Sequence, residues 1–431
     1  MIKQTLFSIL AFSVFMVGCE AQNISATGTL VVTSTKANVN LSDISNHWAS
    51  DAINKAVQKG YVDGYEDATF RPELNVSRAE FLKMAITAMK LPITGDTTGS
   101  EWYKPYIAAA TDKGILRPTD FPSADISKPI TRLEMARISV RSTDDKLQDK
   151  DAQIEDKLLM YNAAKAGLIQ GLSYGELAPE KSTTRAQSVT IIERILTVNG
   201  GGKLEVDKYA LSNAEIAWHK TNIVTVLPRY FSNGIGEYTN NNFKAENMYF
   251  SADNGNFINE TMKLVVVDMS DPTDPNRGLV PSDLKWWGSD RKYRSIPSNS
   301  YVILGINHIK VSKKYGISPA YQFGEFTPGH IVPKNVDLNA AYAKDPDTLL
   351  DLEVADSVSK VGDRAIEINY PGHEFNDLRE QDYTTAFVLP KGDLFAENVD
   401  QIFVINYYPS SDFNGKPVRL FESKLDPNIH Q

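Results

Sequence analysis

Three arginines stand where a cation is electrostatically misplaced. In SRAE (Ser77 to Glu80), TRLE (Thr131 to Glu134) and TRAQ (Thr184 to Gln187), a Ser or Thr is followed three residues later by Glu or Gln, the capping-box pattern that opens a helix. Arg78, Arg132 and Arg185 therefore fall in the first helical turn, at the positive end of the macrodipole. The chemistry this suits is anion recognition. A helix start offers free backbone N–H groups and partial positive charge, and a guanidinium adds a planar fork that matches a carboxylate. The alternative is structural: each arginine could reach a carboxylate of a neighbouring segment, such as Asp63 or Glu66, and fasten the fold.

The elements that must position these arginines repeat with them. Trp48 and Trp102 are 54 residues apart, Gly60, Gly114 and Gly167 are separated by 54 and 53, and each Gly precedes its Arg by 18. In HWASDAINKAVQKG, the residues Trp48, Ala52, Ile53, Ala56 and Val57 form one apolar helix face, and Gly60 ends the helix in the left-handed cap. A loop follows, with Gly64, Asp67, Phe70 and Pro72 as turn and anchoring residues. The capping box then starts a second helix with Phe81, Ala85, Ile86 and Met89 on its inner face. Each unit is helix, loop, helix, and is too small to bury a core alone, so three must pack together.

HWASDAINKAVQKGYVDGYEDATFRPELNVSRAE closely resembles a surface-layer homology (SLH) motif, in which a Trp-bearing helix, a Gly-Tyr-x-Asp loop, a Phe-x-Pro and a Thr-Arg-Ala-Glu recur in order. The resemblance covers three motifs, at 41–94, 95–148 and 149–203. The second keeps Trp102, Gly114 and TRLE but has Pro118 in place of Gly64. The third has Glu155 in place of the Trp and retains Gly167, Gly171, Pro179 and TRAQ. What the resemblance implies is a pseudo-threefold all-α helical prism that holds an acidic, often pyruvylated, cell-wall polysaccharide in grooves between motifs. Arg78, Arg132 and Arg185 would be contacts, Arg78 foremost, with Asp63 and Gly64 from the loop. Trp48 and Trp102 stand among the candidate contacts, although both fit core plugs better than sugar platforms.

A net charge of -9 over 431 residues argues against a phosphate-backbone partner, so nucleic acid is set aside. Residues 1–19, MIKQTLFSILAFSVFMVGC, read as an export signal resembling a bacterial lipoprotein signal that ends at Cys19. Cys19 is the only cysteine, and acylation explains both its position and its solitude. Residues 20–40, rich in Ser, Thr, Asn and Ala, read as a flexible tether. The expected location is the cell envelope, lipid-anchored and wall-associated, where other envelope proteins are further candidate partners.

After the glycines at 200–202 the texture changes. TNIVTVL, MKLVVVDM, SYVILGINHIKV, RAIEINY, TTAFVLP and QIFVINYY alternate or are β-branched, which predicts a mainly-β, sandwich-like domain over 204–431 with weak helical signal outside stretches such as DLNAAYAKD. No family resemblance attaches to this half. Asp268, Asp271 and Asp274 on one loop are a candidate Ca²⁺ site, although Pro272 and Pro275 also make that loop an ordinary turn. His219, His308, His330 and His373 have no zinc-ligand spacing, and no catalytic residue is assigned. Trp286, Trp287, Tyr407 and Tyr408 could stack on sugar rings. The reading is a non-enzymatic anchoring protein that displays a β-rich structural or binding domain. Its alternative is a polysaccharide-active enzyme localised by the SLH motifs, which distant paired carboxylates in the second half would serve.

Overall fold

The computed structural model describes residues 41–228, 245–282, 284–287, 293–313, 325–328, 353–356, 358–361, 364–367, 379–391, 404–408 and 418–422. Cys19, the tether, DLNAAYAKD, His330 and His373 lie outside the described residues. So do the side chains of Trp286, Trp287, Tyr407 and Tyr408.

Among the described residues the chain begins with helices. They are α1 Ser50–Lys59, α2 Arg78–Ala88, α3 Lys104–Asp112, α4 Arg132–Thr143, α5 Asp156–Lys165, α6 Arg185–Asn199, α7 Lys208–His219 and the short α8 Ile223–Val226. The pairs α1/α2, α3/α4 and α5/α6 follow the helix, loop, helix design. All three capping boxes form: Ser77, Thr131 and Thr184 accept from the amides of Glu80, Glu134 and Gln187, whose side chains accept from the cap residues' own amides. Gly60, Gly114 and Gly167 end the first helices at φ +76, +78 and +70, which a side chain would strain. Ile53, Ala56 and Val57 are buried as expected. Trp48 is not: α1 starts after it, and the ring is 63% exposed.

The three pairs close on one another through backbone. The Val76 amide donates to the Thr183 carbonyl (3.0 Å), that of Thr183 to Ile130 (2.9 Å), and that of Ile130 to Val76 (2.9 Å). One apolar core runs through all three pairs, from Ile53 and Phe81 through Ile130 and Met135 to Val189 and Ile195.

The second half is mainly β. A seven-stranded antiparallel sheet has the order β1-β2-β5-β10-β7-β3-β4. Its strands are β1 Tyr249–Ala252, β2 Phe257–Asp268, β3 Lys285–Trp287, β4 Tyr293–Ser295, β5 Ser300–Val311, β7 Glu353–Asp356 and β10 Arg379–Pro390. The β6 Glu325–Pro328, β11 Val404–Tyr408 and β12 Val418–Glu422 form a second sheet, and β8 Val358–Val361 pairs with β9 Arg364–Glu367. The predicted runs MKLVVVDM, SYVILGINHIKV and TTAFVLP lie in β2, β5 and β10, the centre of the large sheet. Val265, Val267, Val302, Leu304, Ala386 and Val388 form its core on the face that receives Ile216 of α7.

Two expectations are corrected. TNIVTVL contains the helix α8, because the carboxylate of Glu215 accepts from the amides of Val224 (3.1 Å) and Thr225 (2.8 Å) and caps a turn that the β-branched pattern disfavours. Residues 208–219 form a full helix whose N-cap, Asp207, accepts from the amides of Tyr209 and Ala210.

Candidate functional site

Each of the three arginines reaches from its helix start to the loop of the next unit, and the three contacts run in one cyclic direction. Arg185 of the third unit donates from Nε to the Phe70 carbonyl (3.0 Å) and from Nη2 to that of Asp63 (3.0 Å) in the first. Arg132 of the second donates from Nε to Leu177 (2.7 Å) and from Nη2 to Gln170 (2.7 Å) in the third. Counted from Gly60 and Gly167, these carbonyls occupy the same two loop positions. Arg78 departs from the pattern. Its Nη1 donates to the carbonyls of Ser123 (3.2 Å) and Asp125 (2.9 Å), while Nε and Nη2 fork the carboxylate of Glu134 (3.1 and 2.5 Å). Pro118 stands in this loop where the others have Gly64 and Gly171, and Glu134 supplies acceptors instead.

The helix-start amides are likewise committed. Those of Arg78, Arg132 and Arg185 donate to the carbonyls of Lys128, Lys181 and Leu74, and those of Ala79, Leu133 and Ala186 to Ile126, Pro179 and Pro72. The expectation of open helix N-termini is therefore corrected: carbonyl oxygens of the neighbouring unit converge there. They answer the positive end of the dipole and the guanidinium together.

Accessibility separates the three positions. Arg78 and Arg132 are each 3% exposed, whereas Arg185 is half-buried. Arg132 sits beside Arg194, and burial first, then that neighbouring charge, lowers its pKa. Around Arg185 the surface is open. Its guanidinium lies 4.6 Å from the ring centroid of buried Phe70 and 5.1 Å from that of Tyr65. The Arg71 guanidinium lies 4.0 Å from the same Tyr65 ring and pairs with Asp67 at 3.1 Å. Hydrogen bonds from Thr69, then from Arg71, hold the Asp67 carboxyl below its usual range. Asp63 is exposed beside Arg185, and Gly64 lets Leu41 close against the loop: a Cβ there would meet Leu41 Cδ2 at 2.5 Å. Exposed Trp48 borders the same loop. Its ring packs on His47 (5.3 Å), whose Nε2 bonds Glu73 (2.9 Å), next to the Leu74 carbonyl that receives the Arg185 amide.

Of the sequence candidates, then, Arg185, Asp63, Gly64 and Trp48 gather at the loop of the first unit. Trp102 lies elsewhere, half-buried on the core with Lys83 Nζ 5.5 Å above its ring. Tyr65 and Arg71 complete this cluster; the signal for them in the sequence is an aromatic residue directly after the turn glycine Gly64, with an Arg six positions on.

The first-unit loop of this geometry, though not Arg185 itself, sits inside a recognised sequence unit. Residues 40–82 and 94–136 match the S-layer homology domain. The chain is also similar over part of its length to several larger bacterial proteins. The chain is 30% identical over 164 residues to the S-layer protein sap of Bacillus anthracis, covering 35% of this chain and 20% of that protein. It is 48% identical over 46 residues to the cellulosome-anchoring protein of Acetivibrio thermocellus, covering 11% of this chain and 10% of that protein. It is 30% identical over 177 residues to the amylopullulanase of Thermoanaerobacterium thermosulfurigenes, covering 37% and 10%. The chain thus spans at most a fifth of the length of these three relatives.

At the calcium candidate the three carboxylates are engaged by other groups. Among the described residues no group of three or more His, Cys, Asp or Glu side chains is placed to hold a metal ion. Asp271 accepts from Lys208 Nζ and Tyr209 Oη, each at 2.5 Å, and these bonds, that of Lys208 first, push its carboxyl far below the carboxylate range. Asp268 accepts from Lys391 Nζ and Ser270, and Asp274 from the amides of Asp268 and Asn276. The three carboxylates tie the loop down instead of converging.

Proposed function

We propose that this is a cell-envelope anchoring protein whose SLH region binds acidic, pyruvate-bearing cell-wall polysaccharide non-covalently. In this reading 149–203 is a third SLH motif that completes a pseudo-threefold prism, and the ring of backbone hydrogen bonds among Val76, Ile130 and Thr183 supports it. Lipidation at Cys19 adds a membrane attachment, so that the chain links membrane to wall, and the β-rich domain, a sandwich of its sheets, is displayed as a structural or binding module. The observation that carries the polymer contact is the half-buried Arg185 beside Tyr65 and Arg71. Arg185 uses Nε and Nη2 on the loop and holds a half-buried planar cation beside the half-buried Tyr65 ring, groups that suit a sugar carboxylate and a sugar ring. Arg78, forked by Glu134, is the least available of the three. The likeness to glycoside hydrolases concerns their anchoring domains and lends the enzyme reading no support.

The test is co-sedimentation of the chain with purified cell walls, before and after removal of acidic polysaccharide. Arg185→Ala is expected to weaken binding at least tenfold, about 1.4 kcal/mol, and stripping the acidic polymer to abolish it. A folded Arg185→Ala protein that sediments like wild type would remove this arginine from the contact, and wild-type binding that survives stripping would refute the acidic polymer.

A further inference from the structure

The glycines at 200–202 look like a hinge between the SLH region and the sheet. The chain does not use them so. Residues Leu204 and Glu205 return against Gly167, where a Cβ would come within 2.8 Å of each, and α7 then lies between the two halves with bonded groups on both sides.

On the SLH side, the Asp207 carboxylate accepts from the Gly171 amide (3.0 Å), and Asn213 Nδ2 donates to the carbonyls of Gly175 (2.9 Å) and Tyr174 (3.2 Å). Gly175, at φ +73, has the Tyr209 backbone so close that a Cβ would meet it at 2.4 Å, and the Trp218 ring packs on Tyr161 (5.0 Å). On the sheet side, Lys208 and Tyr209 bond Asp271, Ile216 enters the sheet core, and Lys220 Nζ pairs with Glu260 at 2.9 Å. The Leu264 amide donates to the Lys220 carbonyl (2.8 Å). Asn222, fully buried, donates from Nδ2 to the Val266 carbonyl (2.9 Å) and accepts at Oδ1 from the Val266 amide (2.7 Å), completing the pairing of a missing strand. Its Nδ2 also reaches Ser212 Oγ on α7 at 2.9 Å.

A flexible linker would leave such groups in water. The buried members, Asn222 and Ser212 above all, hold one geometry, because rotation of the joint leaves them desolvated and unpaired, and the partly exposed contacts add to this from both sides. From these contacts we infer that α7 is a rigid strut that makes the SLH region and the sheet one mechanical body. The glycines let the chain turn back onto the third unit. The sheet is then presented at a fixed angle to whatever surface the SLH region grips, and load on one half passes to the other through α7.

Distances between spin labels test this in the full-length Cys19→Ser chain, with labels at Lys55→Cys on α1 and Lys263→Cys on β2, both exposed. Lys55→Cys with Lys157→Cys inside the SLH region is the control. The strut requires a cross-joint distribution as narrow as the control's. It also requires broadening when Asn213→Ala and Asp271→Asn are combined, two substitutions of partly exposed contacts that spare both cores. A cross-joint distribution several times wider than the control would overturn the inference, as would an unbroadened distribution in the double variant. Should the double variant unfold, the wild-type comparison alone decides.

Discussion

An arginine in the first turn of a helix asks what answers its charge, and the three positions give different answers. Arg132 and Arg185 are met by pairs of carbonyl dipoles, Arg78 by a full carboxylate. Both Arg78 and Glu134 are buried, so removing one partner strands the other charge without water. Arg78→Ala or Glu134→Ala is therefore expected to cost about 3–5 kcal/mol in denaturant unfolding, whereas Arg78→Met with Glu134→Leu costs much less than the sum of the two. Additive losses would mean that the pair is not a unit. Thr183 makes the opposite case. It occupies the ring position held by Val76 and Ile130 in the other units, it is fully buried, and its hydroxyl has no partner among the described residues. Thr183→Val keeps the shape and removes an unsatisfied polar group, so it should stabilise the fold by about 1 kcal/mol, read as a raised Tm. A lower Tm would show that the hydroxyl is satisfied in solution.

At the scale of elements, what was legible in the sequence is what is written locally. The capping boxes, the glycine stops and the three central strands were all readable, because a cap needs only its own turn and a strand buried on both faces is apolar along its length. Illegible were features set by distant partners: α8, whose β-branched residues are made helical by Glu215, the outward turn of Trp48, and the carbonyls that receive the arginines. The candidate site was half readable for the same reason. Arg185, Asp63 and Gly64 were in view, but that Arg185 is the open arginine follows from how three units close. Glu215 also carries a pH dependence. It is fully buried, and burial raises its carboxyl from 4.5 to about 7, against the opposing bonds from Thr225 and Val224 and the Lys165 charge; Tyr161 is its other titratable neighbour. A raised carboxyl favours folding most below its unfolded pKa, and this contribution fades as pH rises through the folded one. The stability advantage of wild type over Glu215→Gln should accordingly shrink by about 3 kcal/mol between pH 4.5 and 8. An advantage that is equal at both pH values would place the carboxyl in a more solvated setting.

At the scale of the molecule, the SLH match stops at residue 136, yet the physics does not. The amide of Val76 in the first unit needs the Thr183 carbonyl of the third. The carbonyls of Phe70 and Asp63 need Arg185, and Lys59 and Tyr61 both bond Glu193 on α6. Ile191, Ile192 and Ile195 fill the same core as Ile53 and Phe81. A fragment of the first two units, 41–148, would expose that core, break two of the three ring bonds and leave two loop carbonyls without donors. It is expected to lack a cooperative thermal transition, whereas 41–228, which keeps α6 and the α7 contacts to the third unit, should melt in one step by calorimetry. A cooperative 41–148 would mean that two units suffice and that the third is an addition. Failure of that fragment would mean that the open arginine exists only in the closed ring, since Arg185 comes from the third unit and its aromatic and acidic neighbours from the first. Wall binding and folding would then be two readings of one closure.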